Sequence, residues 1–235
     1  MSDLTISPTG GASTPRVLAI DLGGSHVKVH LSEGGEKRSA VSGPQMTPDL
    51  MVKTVKDLSK DWEFDVIGMG YPGPISDNAP SIEPHNLASG WKDYDFSGAF
   101  GKPVRMVNDA LMQAIGSYEG GRMLFLGLGT GLGSAMIAEN VCMPMELAHL
   151  PYKKRQTFED YVGLRGLEAR GKARWRKSVA DVTHRLNAAL EPDYIVIGGG
   201  NVEKLKAMPE HCRQGHNENA FLGGFRVWLD PTLKL

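Results

Sequence analysis

The first half of the chain alternates short apolar runs with glycine turns, and the second half adds helical periodicity. Val17–Leu22 is an apolar run of strand length, broken only by Asp21. Gly23-Gly24-Ser25 follows, and Val27–Leu31 returns as a hairpin partner. Between Pro48 and Lys60, the residues Leu50, Met51, Val55 and Leu58 fall at helical spacing. Asp65–Gly70 and Val104–Val107 read as further strands, and Asn108 opens a helix through Tyr118. Met123–Leu128 and Ser134–Ala138 are strands on either side of a second glycine turn, Gly127-Leu-Gly-Thr-Gly-Leu-Gly133. Trp175, Val179, Val182, Leu186 and Leu190 define one apolar helix face. Tyr194–Ile197 is a strand ending in Gly198-Gly-Gly200, and Asn201 is suited to cap the next helix. Residues 71–101 are rich in Pro, Gly, Asn and Asp and lack periodicity, and a loop of that length is usually functional. These elements predict an α/β fold with mixed hairpins and later helices. The unit strand, glycine turn, strand occurs near Asp21 and again near Thr130. It marks either two related halves facing one cleft or the coincidence of a common turn.

Composition narrows the class. With 235 residues, 41% hydrophobic and 23% charged, the chain can bury a real core as one large domain or two modest lobes. A net charge of −1 gives no case for a nucleic-acid or membrane-surface partner of the chain as a whole. Two cysteines, Cys142 and Cys212, are too few for a disulfide scaffold and fit a reducing cytoplasm. No run approaches the roughly 20 apolar residues of a membrane span. Residues 1–15 hold Ser, Thr, Pro and Gly without the pattern of a signal peptide, and are expected to be a disordered tail. Charge is uneven: residues 152–177 carry nine Lys or Arg against three Asp or Glu. That stretch is either a solvated helix face or a track for a polyanion.

Several residues have chemistry to offer. Gly23 and Gly24 let backbone N–H groups approach an anion, Ser25 and Lys28 can reach phosphate oxygens, and Asp21 can hold hydrated Mg²⁺. The same stretch also suits a plain hairpin. Asn108-Asp109 follows a buried strand at a helix start, the usual ligand side of an open α/β sheet. There Asp109 is a candidate base kept ionised by the helix N-terminus, or the pair is only an N-cap. Gly129-Thr130-Gly131 offers a second set of N–H donors and a hydroxyl, or a tight hairpin. Glu146 and His149 are three residues apart, and with no further Cys or His nearby they suit a polyhydroxy ligand better than zinc. His85, Asn86 and Trp91 in the long loop are either sugar-pocket groups or ordinary loop residues.

Taken in order, Asp21-Leu-Gly-Gly-Ser, Pro72-Gly-Pro, Asn86-Leu with Trp91, Asn108-Asp109-Ala, Leu128-Gly-Thr-Gly-Leu-Gly133, Glu146-Leu-Ala-His149 and Gly198-Gly-Gly200 resemble the ROK family (repressor, open reading frame, kinase) from about Val17 onward. The closest likeness is to compact, zinc-free members related to polyphosphate glucokinases. The resemblance implies an actin-like ATPase fold, two ribonuclease-H-like lobes around a cleft, divided here as 16–107 and 108–235. It implies Asp109 as catalytic base, and Asn86, Asn108, Glu146, His149 and Glu159 as sugar contacts. Gly23, Gly24, Ser25 and Lys28 correspond to the first phosphate loop, and Gly129, Thr130 and Gly131 to the second. Gly199 and Gly200 lie beside the donor, and Asp21 lies near Mg²⁺. The expected activity is transfer of a terminal phosphoryl group from polyphosphate or ATP to a hexose, with glucose 6-OH first. The alternative is a non-catalytic sugar sensor on the same fold. The chain departs from the family in two places: Pro151-Tyr-Lys-Lys-Arg-Gln replaces the Cys-rich zinc motif, and Ala148 replaces a glycine. No structural zinc is expected, and a monomer or homodimer is. The apolar residues Phe221, Leu222, Phe225, Val227 and Trp228 serve internal packing or a dimer contact.

Overall fold

The structure, a computed structural model, describes residues 14–235. The expected tail lies outside them except for its last two residues. The first sheet is built from β1 (Val17–Leu22), β2 (His26–Leu31), β3 (Arg38–Val41), β4 (Val66–Tyr71) and β7 (Val104–Asn108), with α1 (Pro48–Leu58) between β3 and β4. A short hairpin, β5 (Ile75–Ser76) with β6 (Ala79–Pro80), and the one-turn helix α2 (Phe96–Phe100) fill the connection to β7. After α3 (Asp109–Ser117), β8 (Arg122–Leu128), β9 (Leu132–Ala138), β10 (Val141–Met145), β11 (Tyr194–Gly198) and β12 (Cys212–Gln214) form the second sheet. The short helix α4 (Glu159–Val162) and the long α5 (Leu164–Leu190) connect β10 to β11, and α6 (Asn219–Leu229) ends the chain.

The two sheets share one plan. Their strand orders are β3-β2-β1-β4-β7 and β10-β9-β8-β11-β12. In each, a central strand pairs antiparallel with the strand after it and parallel with the strand that follows the helical crossover. The glycine turns join β1 to β2 and β8 to β9, at equivalent places. The repeat seen in sequence is therefore a repeated unit of the fold.

Each half has its own apolar core. In the first, Leu18, Ile20, Met51, Val55, Ile67 and Met69 are closed over by α1 and the aromatic loop residues Trp91, Phe96 and Phe100. In the second, the predicted α5 stripe of Trp175, Val179, Val182 and Leu186 packs on Leu124, Leu126, Ile195 and Ile197. A third cluster, built on α3, joins Leu111, Met112 and Ile115 to Phe125, Ile137 and Val227. α6, within 108–235, lies on α3 of the same stretch and on β1 and β4 of the first sheet. Phe221 and Val227 are buried in that seam, while Leu222 is exposed.

Some elements differ from expectation for local reasons. β3 has no apolar alternation, and β10 contains Pro144, which an edge strand tolerates. The 71–101 segment is less irregular than its composition suggests. Asp77 and Asn78 both take positive φ, 49° and 61°, at the tight β5–β6 turn. Asp95 caps α2, and Gly101 ends it at φ 68°. Asn201 does not cap a helix; only a 3-10 turn, Val202–Lys204, follows, and the amide is used elsewhere. The long helix is kinked at Gly171, at φ 69° and ψ 161°.

The seam between halves is packed backbone to backbone. A Cβ on Gly223 would stand 1.8 Å from the Met112 carbonyl oxygen, and one on Gly116 1.8 Å from that of Asn219. One on Gly68 would stand 1.9 Å from the Gly224 oxygen. Gly223→Ala is expected to destabilise by about 1–3 kcal/mol or more, since neither backbone can yield. Gly200→Ala, with nothing within 4 Å of the added carbon, should change stability by less than about 0.5 kcal/mol. Thermal melts of both variants check the contrast.

Candidate functional site

Strand ends and helix starts converge around α3. Asn108, the last residue of β7, caps α3: its Oδ1 accepts from the Ala110 N–H at 3.0 Å and the Leu111 N–H at 3.2 Å. Its Nδ2 donates to the Gly73 carbonyl at 3.3 Å, so the capping amide also fixes the Pro72-Gly-Pro turn. Asp109 then opens the helix half-buried, with Oδ1 accepting from the Ala110 N–H at 2.7 Å. Asn108 thus satisfies the capping role, and the Asp109 carboxylate keeps one oxygen uncommitted.

The electrostatics of Asp109 differ from the simple helix-terminus expectation. Burial pushes its carboxyl up to about 7, against the lowering effect of the Ala110 N–H. The nearby charges of Asp21 and Glu146 raise it further. Asp109 therefore feels a charge from each half of the fold, Asp21 on β1 and Glu146 just after β10. Asp21 sits near the end of β1, partly buried, and burial raises its pKa too, opposed by Lys28. The Lys28 ammonium is 3.5 Å from the Asp21 carboxylate across the β1–β2 pair.

The first glycine turn is closed by the Gly23 N–H donating to the His26 carbonyl at 2.9 Å. The Ser42 hydroxyl donates to the Gly23 carbonyl at 2.6 Å, while Ser25 is exposed at the tip. Asn86 lies directly against this turn: a Cβ on Gly24 would be 3.0 Å from the Asn86 Cβ. Asn86 is thus beside the first turn, and His85 is exposed near it. Trp91 is fully buried against Tyr71 and Phe96, so its ring belongs to the first core and is not available to a ligand.

The second turn is tied in from three sides. The Gly129 N–H donates to the Gly131 carbonyl at 3.1 Å, and Thr130 is exposed. Glu159, at the start of α4, accepts from the Leu132 N–H at 3.3 Å, and a Cβ on Gly131 would meet its Oε2 at 2.3 Å. The Leu164 N–H reaches the Gly129 and Thr130 carbonyls at 3.2 and 3.1 Å. The Asn201 amide donates to the Gly129 carbonyl at 2.9 Å, which is the use the chain makes of it in place of a cap.

Glu146 and His149 are brought to the same region through β9. The Ser134 hydroxyl donates to the Met145 carbonyl at 2.8 Å and accepts from the Leu147 N–H at 3.1 Å. A 3-10 turn, Leu147–His149, then puts the His149 ring 3.8 Å from the Glu146 carboxylate, both largely exposed.

Gly199 and Gly200 lie on the far side of the second turn. Gly199, at φ 83°, lies so close to the Leu128 backbone that a Cβ would be 2.6 Å from its carbonyl oxygen. Both line a cavity of about 140 Å³ with Val202, Glu203, Gln214, Gly215, His216 and Asn217. The last four were invisible to pattern reading because β12, which delivers them, is only three residues long. Ser134 and Asn201 were likewise missed as organisers. Their only sequence signal is being polar in or next to an apolar strand.

The family model described as "ROK family" matches residues 17–143. The chain is 27% identical over 222 residues to a polyphosphate glucokinase of Mycobacterium tuberculosis, covering 83% of this chain and 81% of that protein. Its fold is similar to that of an inorganic polyphosphate/ATP-glucomannokinase from Arthrobacter sp. strain KM, with a TM-score of 0.77, 20% identity, and 90% and 97% of the two chains covered. It is also similar to a ROK family glucokinase from Streptomyces griseus in complex with glucose and AMPPNP, with a TM-score of 0.70, 14% identity, and 91% and 99% covered. These neighbours bear out the expected two-lobed actin-like ATPase architecture. With its family model spanning more than half of the sequence, the chain belongs to the ROK family.

Proposed function

We propose that this protein is a sugar kinase that transfers a terminal phosphoryl group from polyphosphate or ATP to a hexose hydroxyl, with glucose 6-OH the first choice. The observation that carries the reading is Asp109: a half-buried carboxylate with one free oxygen, flanked electrostatically by Asp21 of the first half and Glu146 of the second. The likeness to polyphosphate glucokinases supports the substrate and donor classes.

On this reading the sugar lies on Asn108, Glu146, His149 and Glu159, with Asn86 at the edge beside the first turn. Carboxylates accept from sugar hydroxyls, and the amide and imidazole both donate and accept. Asp109 accepts the proton of the attacking hydroxyl. A base with a pKa near 7 matches neutral working pH better than an ordinary aspartate. Phosphoryl transfer passes through a loose transition state, so most of the rate comes from positioning and charge stabilisation. The N–H groups of Gly24 and Gly131, the Ser25 and Thr130 hydroxyls and Lys28 supply these, while the Gly23 and Gly129 N–H groups close the two turns that carry them. Gly199 and Gly200 border the far end of the donor.

The donor set suits Mg²⁺, which is commonly held by one or two carboxylates and substrate phosphates while keeping several waters. Asp21 would hold it through water, and the ion neutralises charge on the phosphate oxygens when bound. Lys28, 3.5 Å from Asp21, would share the task of offsetting phosphate charge.

Asp109→Asn is expected to lower kcat by roughly 10²–10⁴-fold while sugar binding is largely kept. Wild-type kcat should fall as pH drops below about 7, because the protonated acid cannot take a proton. Near-normal turnover of the variant removes Asp109 as the base. Stability supplies an independent reading. A carboxyl raised in the native state binds more protons there than in the unfolded chain. Stability is therefore lost as pH rises from about 4 through about 7. Asp109→Asn, which mimics the protonated form, should raise Tm at pH 8 and leave it nearly unchanged at pH 4.

The donor is tested by turnover with polyphosphate or ATP as sole donor. Lys154, Arg155, Lys172, Arg174 and Lys177 are exposed, whereas Lys153 and Arg176 are engaged by Asp181 and the Lys204 carbonyl. If the exposed set is a polyanion track, KM for polyphosphate rises with ionic strength more steeply than KM for ATP. Salt-insensitive use of polyphosphate removes the track.

A further inference from the structure

Residues 150–158 stand between two of the proposed sugar contacts, His149 and Glu159. They form a hairpin-like excursion. The Phe158 N–H donates to the Leu150 carbonyl at 3.0 Å, the Tyr152 N–H to the Gln156 carbonyl at 2.8 Å, and Pro151 bridges Thr157. Lys154 and Arg155, both at positive φ, turn the tip. The separation of His149 from Glu159 is therefore set by the register of this hairpin, and their aim by how the hairpin is held.

One group holds it. Asp181 projects from α5, and its carboxylate accepts from the Tyr152 hydroxyl and from Lys153 Nζ at 3.1 Å, two adjacent residues of the hairpin. Arg185, one turn further along α5, donates to the same oxygen at 3.1 Å. The Tyr152 hydrogen bond is the main reason the Asp181 carboxyl is held down at about 2, so it is charged at any working pH. The Tyr152 ring packs edge-on against Phe158 at 5.4 Å and Tyr161 at 4.7 Å, linking the anchor to the Glu159 side of the hairpin. The residues around Asp181 on the opposite face of α5, Val179 and Val182, are buried in the second core. The anchor is thus fixed to a helix face whose neighbours are packed in the second core.

We infer that Asp181 is a positioning residue for the sugar site: through Tyr152 and Lys153 it locks the hairpin that sets His149 and Glu159 on one ligand. The inference rests on the sugar-kinase reading. Asp181 touches neither substrate nor reacting atoms, so its loss loosens the sugar contacts and leaves the donor turns as they are.

The test compares wild type, Asp181→Ala, Asp181→Glu, Tyr152→Phe and Val182→Ala by steady-state kinetics, glucose titration calorimetry and thermal melting. Asp181→Ala should raise the sugar KM and Kd about tenfold, the scale of a lost charge-assisted hydrogen bond, with kcat at saturating sugar and donor KM within about twofold. Tyr152→Phe should raise sugar KM by a smaller factor, and Asp181→Glu should recover most of the loss. Val182→Ala, a cavity in the same helix, should lower Tm and leave sugar KM unchanged. Sugar KM unchanged in both Asp181→Ala and Tyr152→Phe overturns the positioning role, as does an equal rise in Val182→Ala. Wild type that neither binds nor phosphorylates any hexose overturns the kinase reading and this inference together.

Discussion

The structure depends on a seam where backbone meets backbone. α6 can lie on β4 and α3 only because Gly68, Gly116, Gly223 and Gly224 lack side chains. Close approach of this kind gives up the methyl contacts that ordinary cores use. It gains a dense interface with few side chains able to change rotamer. Through it the last helix of the chain is bonded to the first sheet, and α3 is fixed against both halves. Because α3 begins with Asp109, the placement of the candidate base follows from Gly116, about two turns along the same helix, and from Gly223 of α6, which packs on the Met112 carbonyl. Arg226 strengthens the same seam: it donates to the Ile115 and Tyr118 carbonyls at the end of α3 and pairs with Asp230 at 2.8 Å.

Burial raises the pKa of both central carboxylates, but what opposes it differs. Asp21 has a lysine partner to offset its desolvation, whereas Asp109 has neutral backbone N–H groups, and the charges of Asp21 and Glu146 add to its rise. A helix N-terminus is worth a fraction of a kcal/mol to about 2 kcal/mol to an anion. Here desolvation and like charge outweigh it, which no count of residues along the chain reveals.

Much of the fold was legible because its central strands are buried on both faces and read as plain apolar runs. The halves were visible as two glycine turns in equivalent settings. What escaped was set by partners distant in sequence. β3 and β10 are edge strands whose pairing, not whose composition, defines them. Asn201 reads as a cap from its neighbours but is held by a carbonyl 72 residues away. The fate of Trp91 was undecidable locally, since an aromatic in a polar loop serves a pocket or a core equally well. Asp109, Glu146 and the glycine turns were legible as a set because order along the chain constrained them together. That the Glu146 charge reaches Asp109 required the fold.

The repeated plan of the two sheets has a consequence at the ends of their last strands. β7 runs into Asn108-Asp109 and α3; its counterpart β12 runs into Gly215-His216-Asn217 and α6. One unit, used twice, leaves an acidic group at the first of these places and an imidazole with an amide at the second. The molecule is thus symmetric in its scaffold and asymmetric in its charge. On the proposed reading, that broken symmetry is what gives the cleft a direction, with an acceptor side and a donor side.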